Sequence, residues 1–186
     1  MRTHDSVSVL IFHTIRQSFI LVKQFRPAIY AYELEKYYPQ VLQNNDQDCS
    51  IPPENLLPAK IGISYELCSG IVDKPGLTLE DVARQEVLEE CGYDVPLSNI
   101  RKITSYRSGV GVTGSLHTAF YAEVTDNMKV TAGGGQPEEG ELIELVEIPL
   151  MNAMAFAYNE SIPKPAGVLF GLMWFQTNIA PSLQMK

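Results

Sequence analysis

Three glutamates near the end of one predicted helix are the side chains in this chain best suited to chemistry. Winding residues 78–91 at about 100° per residue places the apolar side chains of that stretch on one broad arc. The arc contains Leu79, Val82, Ala83, Val87 and Cys91. Glu86 falls near the middle of the same arc, with Glu89 and Glu90 close beside it. Because a solvated face should lie opposite the apolar arc, these carboxylates are predicted to face inward.

The electrostatics of this cluster predict a bound cation. The glutamates occupy the last turns of the helix, where the helix dipole disfavours negative charge, and like charges at these spacings repel one another. No Lys or Arg stands at a matching position on this helix face. Carboxylate oxygens are hard ligands that favour Mg²⁺ or Mn²⁺ over zinc. The helix alone therefore predicts a divalent-metal site.

The composition limits the possible partners. The 186 residues include 14 Lys and Arg against 22 Asp and Glu, a formal net charge of −8. Non-specific nucleic-acid binding needs a basic face, so a nucleic-acid partner is not expected. An anionic small-molecule substrate would instead need a divalent cation to invert the local field.

The chain is expected to be cytoplasmic and without a membrane partner. No stretch reaches the roughly 18 apolar residues of a membrane span, and the N-terminus lacks the pattern of a signal peptide. The cysteines have neither metal-ligand spacing nor a disulfide framework, which is typical of reduced thiols: Cys49, Cys68 and Cys91. The histidines form no triad or metal pattern: His4, His13 and His117.

Strands and helices interleave along the chain, which predicts an α/β or α+β sandwich. SVSVLIF and SFILVKQF are expected to form a hairpin, IGISYELCSG a further strand, and ITSYRS, LHTAFYAEV and LIELVEI three more. Residues 38–60 are predicted to be a long surface loop, and 126–141 a flexible glycine-rich one. Thr78 and Asp81 predict a capping box for the glutamate helix, and Gly92 its end. Two helices are expected after Pro149, with AGVLFGLMWF buried.

The stretch GIVDKPGLTLEDVARQEVLEECGY resembles a Nudix box. The second half of the motif matches at Glu86, Val87, Glu89, Glu90, Gly92 and Tyr93. Two positions depart from the motif: Gln85 replaces the arginine before the first of these glutamates, and one extra residue after Gly70 leaves no early glutamate. The stretches ELCSGIVDKPG, KQFRPAIY, SGVGVTGS and EEGELIE resemble the UDP-sugar (UDP-glucose) pyrophosphatase branch of the family, which is close to the ADP-ribose pyrophosphatases.

The resemblance implies a Nudix-type α/β/α sandwich with mixed β-sheets and a role for each matching residue. Glu86, Glu90, Glu141 and the backbone carbonyl of Ser69 would bind Mg²⁺, for which Mn²⁺ can substitute. Glu89 would bind metal or orient metal-bound water, and Glu139 would be the general base. Arg26 would contact the substrate phosphates.

The implied reaction converts a UDP-sugar and water to UMP and a sugar 1-phosphate. The alternatives are the same chemistry on ADP-ribose, or a Nudix-like nucleotide-binding module without catalysis. The ADP-ribose branch of the family often has a proline in the loop after the box. The corresponding stretch here, SGVGVTG, has none, and this favours UDP-sugars over ADP-ribose. Four aromatic residues are candidates to stack on the base: Tyr30, Tyr32, Tyr106 and Phe120. The chain is expected to be one domain over residues 1–186 and a homodimer, and a form that lacks an N-terminal segment of its relatives is an open alternative.

Overall fold

A computed structural model describes residues 4–39 and 56–183, apart from the side chain of Glu139. These residues form seven strands: β1 (Ser6–His13), β2 (Ser18–Phe25), β3 (Ile63–Glu66), β4 (Cys68–Ile71), β5 (Ile100–Ser108), β6 (Ser115–Val124) and β7 (Ile143–Pro149). They also form five α-helices: α1 (Pro27–Tyr37), α2 (Leu79–Cys91), α3 (Ala153–Tyr158), α4 (Ala166–Asn178) and α5 (Ala180–Leu183). Most of the predicted loop at 38–60 lies outside the described residues.

The expected hairpin of β1 and β2 opens into a splayed mixed sheet. The two strands pair only near their turn, where Ile11 lies opposite Ile20. Further from the turn, β3 pairs with β2 and β4 pairs with β1, so the segment 63–71 spans the gap between them. On its other edge β1 runs parallel to β6, and β2 runs antiparallel to β7. The divergence of β1 and β2 leaves β4 beside the start of β1, facing α2.

Helices cover both faces of the sheet, which confirms the predicted α/β/α sandwich. Val7, Val9 and Ile11 of β1 pack in one buried cluster with α2, whereas Leu10 and Phe12 pack in another with α3 and α4. Strand β1 is therefore apolar on both faces, as its near-continuous hydrophobic sequence predicts. The expected burial of the C-terminal segment is confirmed at Leu172 and Phe175, which are fully buried.

Helix α2 has the predicted ends. The hydroxyl of Thr78 accepts a hydrogen bond from the Asp81 backbone N–H at 3.1 Å, and the Asp81 carboxylate accepts one from the Thr78 N–H at 3.0 Å. Gly92 ends the helix in the left-handed conformation, with φ of 72°. The capping box fixes where the helix starts, and therefore which turn carries the glutamates.

Three features of the fold differ from the prediction. The segment IGISYELCSG, expected to be one strand, forms β3 and β4, which Leu67 separates. Helix α1 was not predicted, and none of its residues is fully buried. The C-terminal region contains three helices rather than two, because Asn178 ends α4 and a short turn of helix, α5, follows it. Among the described residues, no helix is both long and apolar enough to cross a membrane.

Candidate active site

Six of the predicted site residues line one cavity of about 340 Å³. They are Arg26, Ser69, Glu86, Glu89, Glu90 and Glu141. The remaining wall, which includes Ser6, Gly70, Asp73, Lys74 and His117, was not predicted. We call this space the acidic cavity, because its carboxylates outnumber its cations five to two.

Glu90 is the most deeply buried carboxylate of the cavity. Its exposed fraction is 1%, and its Oε2 accepts a hydrogen bond from the Ser69 backbone N–H at 2.9 Å. The pKa of Glu90 is raised from 4.5 to about 8, mainly by burial and also by the charges of Glu86 and Glu141, while hydrogen bonds from Cys68 and Ser69 oppose the rise. Glu86, which the helix geometry placed near the middle of the apolar arc, is only half-buried and so less enclosed than Glu90.

Glu86 is held close to the backbone of β4. A β-carbon placed on Gly70 would lie 2.1 Å from the carboxyl carbon of Glu86. Gly70 pairs with Val7 in the sheet, so the strand backbone is fixed at this point. Only a residue without a β-carbon lets the carboxylate of Glu86 occupy this space beside Ser69.

Glu89 is oriented by two amide side chains. Gln85 donates from Nε2 to Glu89 Oε1 at 2.8 Å, and Gln136 donates to Oε2 at 2.7 Å. The residue that replaces the motif's arginine therefore still supports a glutamate, through a neutral donor. Gln136 was not predicted; it lies in the glycine-rich loop, far from Glu89 in sequence.

The glycine-rich loop is anchored to the end of α2. The backbone N–H of Gly134 donates to the Glu90 carbonyl at 2.9 Å, and that of Gly135 donates to the Glu89 carbonyl at 3.3 Å. These bonds satisfy helix carbonyls that otherwise have no partner within the helix. At Gly133 a β-carbon would lie 2.5 Å from the Glu90 carbonyl oxygen, so this close approach requires glycine.

The same loop contains Glu139 and carries Glu141 to the site. Residues Pro137–Glu139 form a short 3-10 helix, which gives the position of the Glu139 backbone; its side chain lies outside the described residues. Glu141 lines the acidic cavity, and its Oε2 accepts a hydrogen bond from the Gln136 backbone N–H at 3.1 Å. Strand β7 follows at once and pairs with β2, so Glu141 lies on the side of the cavity where Arg26 stands.

Arg26 follows the last residue of β2 and forms a two-pronged ion pair. Its Nε and Nη2 each donate to one oxygen of Glu66 at 2.8 Å. This geometry fixes the plane of the guanidinium. Lys74, on the loop before α2, is a second cation at the cavity, and it forms no ion pair among the described residues. Both cations could meet a phosphate.

The donor set of the acidic cavity fits a hard divalent ion, although it is not already assembled around one. In the described parts of the chain, no three His, Cys, Asp or Glu side chains are grouped closely enough to hold a metal ion. The carboxylates of the cavity nonetheless outnumber its cations, so an added cation would be stabilised there. Oxygen donors of this kind suit Mg²⁺ or Mn²⁺.

A second cavity of about 260 Å³ adjoins the acidic cavity. The two share Ser69 and His117 in their walls. The ring of His117 forms hydrogen bonds with the hydroxyls of Ser6, through Nδ1 at 2.7 Å, and Ser8, through Nε2 at 2.8 Å. Burial lowers the pKa of His117, which favours the neutral form of the ring. The sequence predicted no role for this histidine.

The four aromatic candidates for base stacking lie in different environments. Phe120 is fully buried in the core, and Tyr32 is 66% exposed on α1. Tyr30 packs on Phe25 and donates its hydroxyl proton to the Leu57 carbonyl. Tyr106 lines the second cavity.

Comparison with known proteins identifies the family. The chain is 51% identical over 186 residues to the uridine diphosphate glucose pyrophosphatase NUDT14 of Bos taurus, and covers 84% of it. It is 48% identical to the protein of the same name in Mus musculus, again over all of this chain and 84% of that one. The chain belongs to the Nudix hydrolase family. The resemblance carried by the Nudix box is thereby confirmed, despite Gln85 and the extra loop residue.

More distant relatives support the same placement. A GDP-mannose pyrophosphatase of Salmonella typhimurium is 30% identical over 94% of this Nudix hydrolase and 74% of its own length. The crystal structure of an ADP compounds hydrolase has a TM-score of 0.60 at 14% identity, covering 96% of this chain and 76% of that one, and so supports the fold alone. No family model matches the chain. Nudix hydrolases generally need a divalent metal ion.

Proposed function

We propose that this Nudix hydrolase cleaves the pyrophosphate bond of a nucleoside diphosphate sugar, with UDP-glucose and water giving UMP and glucose 1-phosphate. The observation that carries the proposal is the meeting of Arg26, Ser69 and the four glutamates of the acidic cavity at one place. They come from a strand end, a strand, a helix and a loop. The uridine diphosphate glucose pyrophosphatases at 51% and 48% identity support the choice of substrate.

The metal proposed for the site is Mg²⁺, with Mn²⁺ as a substitute. Glu86, Glu90 and Glu141, with the carbonyl of Ser69, would hold it. When bound, the ion would neutralise the diphosphate and lower the pKa of the attacking water. An anionic substrate cannot bind to five carboxylates and two cations unless their negative charge is compensated.

The protein groups have separate roles in the proposed reaction. Glu139 accepts a proton from the attacking water. The water oxygen bonds to phosphorus as the bridging P–O bond breaks, which releases UMP and the sugar phosphate. Glu89, fixed by Gln85 and Gln136, orients the water. Arg26 contacts a phosphate from its ion pair with Glu66. A base that reaches the water contributes about 10²–10⁴-fold to the rate.

The experiment combines product analysis with matched variants. Purified protein is incubated with UDP-glucose or ADP-ribose while Mg²⁺ is titrated, and UMP, AMP and glucose 1-phosphate are quantified by anion-exchange chromatography. We expect metal-dependent release of UMP and glucose 1-phosphate in equal amounts. Faster turnover of ADP-ribose would favour that alternative, and binding of UDP-glucose without products would indicate a module that lacks catalysis.

Glu86→Gln and Glu90→Gln should each reduce turnover about 100-fold or more, because each weakens metal coordination. Glu80→Gln is the control, since Glu80 lies in the first turn of the same helix and outside the acidic cavity. Near wild-type turnover by either site variant would contradict the assignment.

The oligomeric state and the compartment are also proposals. We propose a homodimer, to be checked by light scattering on the eluting protein. We propose a cytoplasmic location, because Cys68 and Cys91 are free, buried thiols, as expected in a reducing compartment; Cys49 lies outside the described residues. Imaging of the tagged protein tests the location. One domain over residues 1–186 also stays a prediction.

A further inference from the structure

The second cavity continues the acidic cavity into the space between the sheet and the start of α4. Its walls include Glu66 of β3, Tyr106 and Ser108 of β5, His117 of β6 and Gly167 of α4. It joins the acidic cavity at Ser69 and His117. A molecule whose diphosphate lies in the acidic cavity can therefore extend one of its ends into the second cavity.

We propose that the second cavity binds the glycosyl half of the nucleotide sugar, with Glu66 and Tyr106 as its polar contacts. This inference rests on the proposed function and names the part of the substrate that each cavity takes. It also implies that the second cavity determines the specificity for the sugar.

The polar groups of the second cavity match the hydroxyls of a sugar. None of the described residues hydrogen-bonds to the hydroxyl of Tyr106, which can both donate and accept. Each oxygen of Glu66 accepts one bond from Arg26 and can accept another. A sugar hydroxyl donates as well as accepts, so it suits a carboxylate beside a phenol. A uracil edge presents two carbonyl oxygens and a single N–H, so a carboxylate would repel most of that edge.

The ion pair between Arg26 and Glu66 links the two cavities. Arg26 lines the acidic cavity, and Glu66 lines the second cavity. The exposed fractions of the two side chains are 42% and 12%, so the carboxylate is the more enclosed partner. The ion pair would therefore hold the substrate on both sides of the bond that joins the sugar to the diphosphate. The sugar would donate to Glu66, and a phosphate would contact Arg26.

Gly167 provides a way to fill the second cavity without touching the acidic one. A β-carbon on Gly167 would lie 3.4 Å from the hydroxyl of Tyr106. Gly167 stands in the first turn of α4 and has no positive φ, so other residues fit its backbone. Gly167→Ala adds a methyl group, and Gly167→Leu projects a larger side chain into the space. The control is Thr177→Leu, an exposed site near the other end of the same helix.

The experiment measures kcat/KM for two substrate series. The first varies the sugar on UDP: xylose, glucose and N-acetylglucosamine. The second varies the base on glucose: UDP-glucose and ADP-glucose. We expect Gly167→Leu to lower kcat/KM for UDP-glucose about tenfold, with a larger loss for the bulkier sugar and a smaller one for xylose. The ratio between UDP-glucose and ADP-glucose should stay as in the wild type, and Thr177→Leu should change neither series.

Two outcomes would overturn the inference while leaving the proposed function intact. One is an equal loss for all three sugars, and the other is a loss that follows the base. A wild-type protein that hydrolyses neither series would overturn the proposed function and this inference together. Tyr106→Phe gives an independent reading, because it removes the hydroxyl and keeps the ring; it should raise KM for UDP-glucose more than it lowers kcat.

Discussion

The carboxylate of Glu86 occupies the space that a side chain at Gly70 would fill, with 2.1 Å between its carboxyl carbon and a β-carbon built there. Gly70 has no positive φ and lies in a paired strand, so its backbone would accept alanine. Glycine is needed at this position because the absence of a side chain leaves space for the Glu86 carboxylate. The second glycine-dependent contact, at Gly133, brings the loop of Glu139 and Glu141 onto the end of α2.

Gly70→Ala should therefore inactivate the enzyme without unfolding it. The added methyl group would push Glu86 away from Ser69, and a displacement of about 1 Å in a catalytic site can cost about 100-fold in rate. Steady-state kcat with UDP-glucose and Mg²⁺ measures the loss, and circular dichroism checks the fold. Activity within a few fold of the wild type would mean that the position of Glu86 does not matter.

The local elements around this site could be predicted from the sequence. Thr78, Asp81 and Gly92 define the ends of α2, because caps depend on residues within one turn. The apolar arc of α2 identified its inward face. Helix α1 was missed: none of its residues is fully buried, and its half-buried face mixes Ile29, Tyr30 and Leu34 with the charged Glu33.

The burial of each site residue, and its contacts with residues distant in sequence, could not be predicted in the same way. The azimuth of a helical residue gives the face on which it lies, but Glu90 is more buried than Glu86 because β4 and the glycine-rich loop lie against its turn. Gln136 contacts Glu89 across 47 residues of sequence. Lys74 and His117 likewise belong to the site only through the fold. No local pattern distinguishes such residues from ordinary surface residues.

The general base can be tested with two neighbouring glutamates. Glu139→Gln should lower kcat about 100-fold or more, because the proton of the attacking water loses its acceptor. Glu138→Gln removes the same charge one residue earlier, at a position outside the acidic cavity, and should retain activity. Rapid quench of a single turnover separates the chemical step from product release. Equal effects of the two substitutions would point to loop charge rather than to a base.

The buried Glu90 should make the metal-free protein less stable as the pH rises. Its folded pKa of about 8 lies above the ordinary 4.5, so between these values the folded state binds more protons than the unfolded state. The contribution of Glu90 to the free energy of unfolding is therefore largest below about pH 4.5, and it is lost as the pH rises towards 8. Thermal unfolding in EDTA should give a Tm for Glu90→Gln that exceeds that of the wild type by more at pH 8 than at pH 5. A difference that is independent of pH would contradict this assignment.

The ion pair between Arg26 and Glu66 should matter for binding more than for the chemical step. Arg26→Lys keeps the charge but cannot reproduce the two parallel bonds at 2.8 Å. We expect KM for UDP-glucose to rise about tenfold with a smaller change in kcat, since orientation of the phosphate contact is lost. Glu66→Gln should raise KM as well, because a neutral amide can accept from only one arm of the guanidinium. If Arg26→Lys instead lowered kcat and left KM unchanged, Arg26 would act on the transition state alone, and the ion pair would not be a binding device.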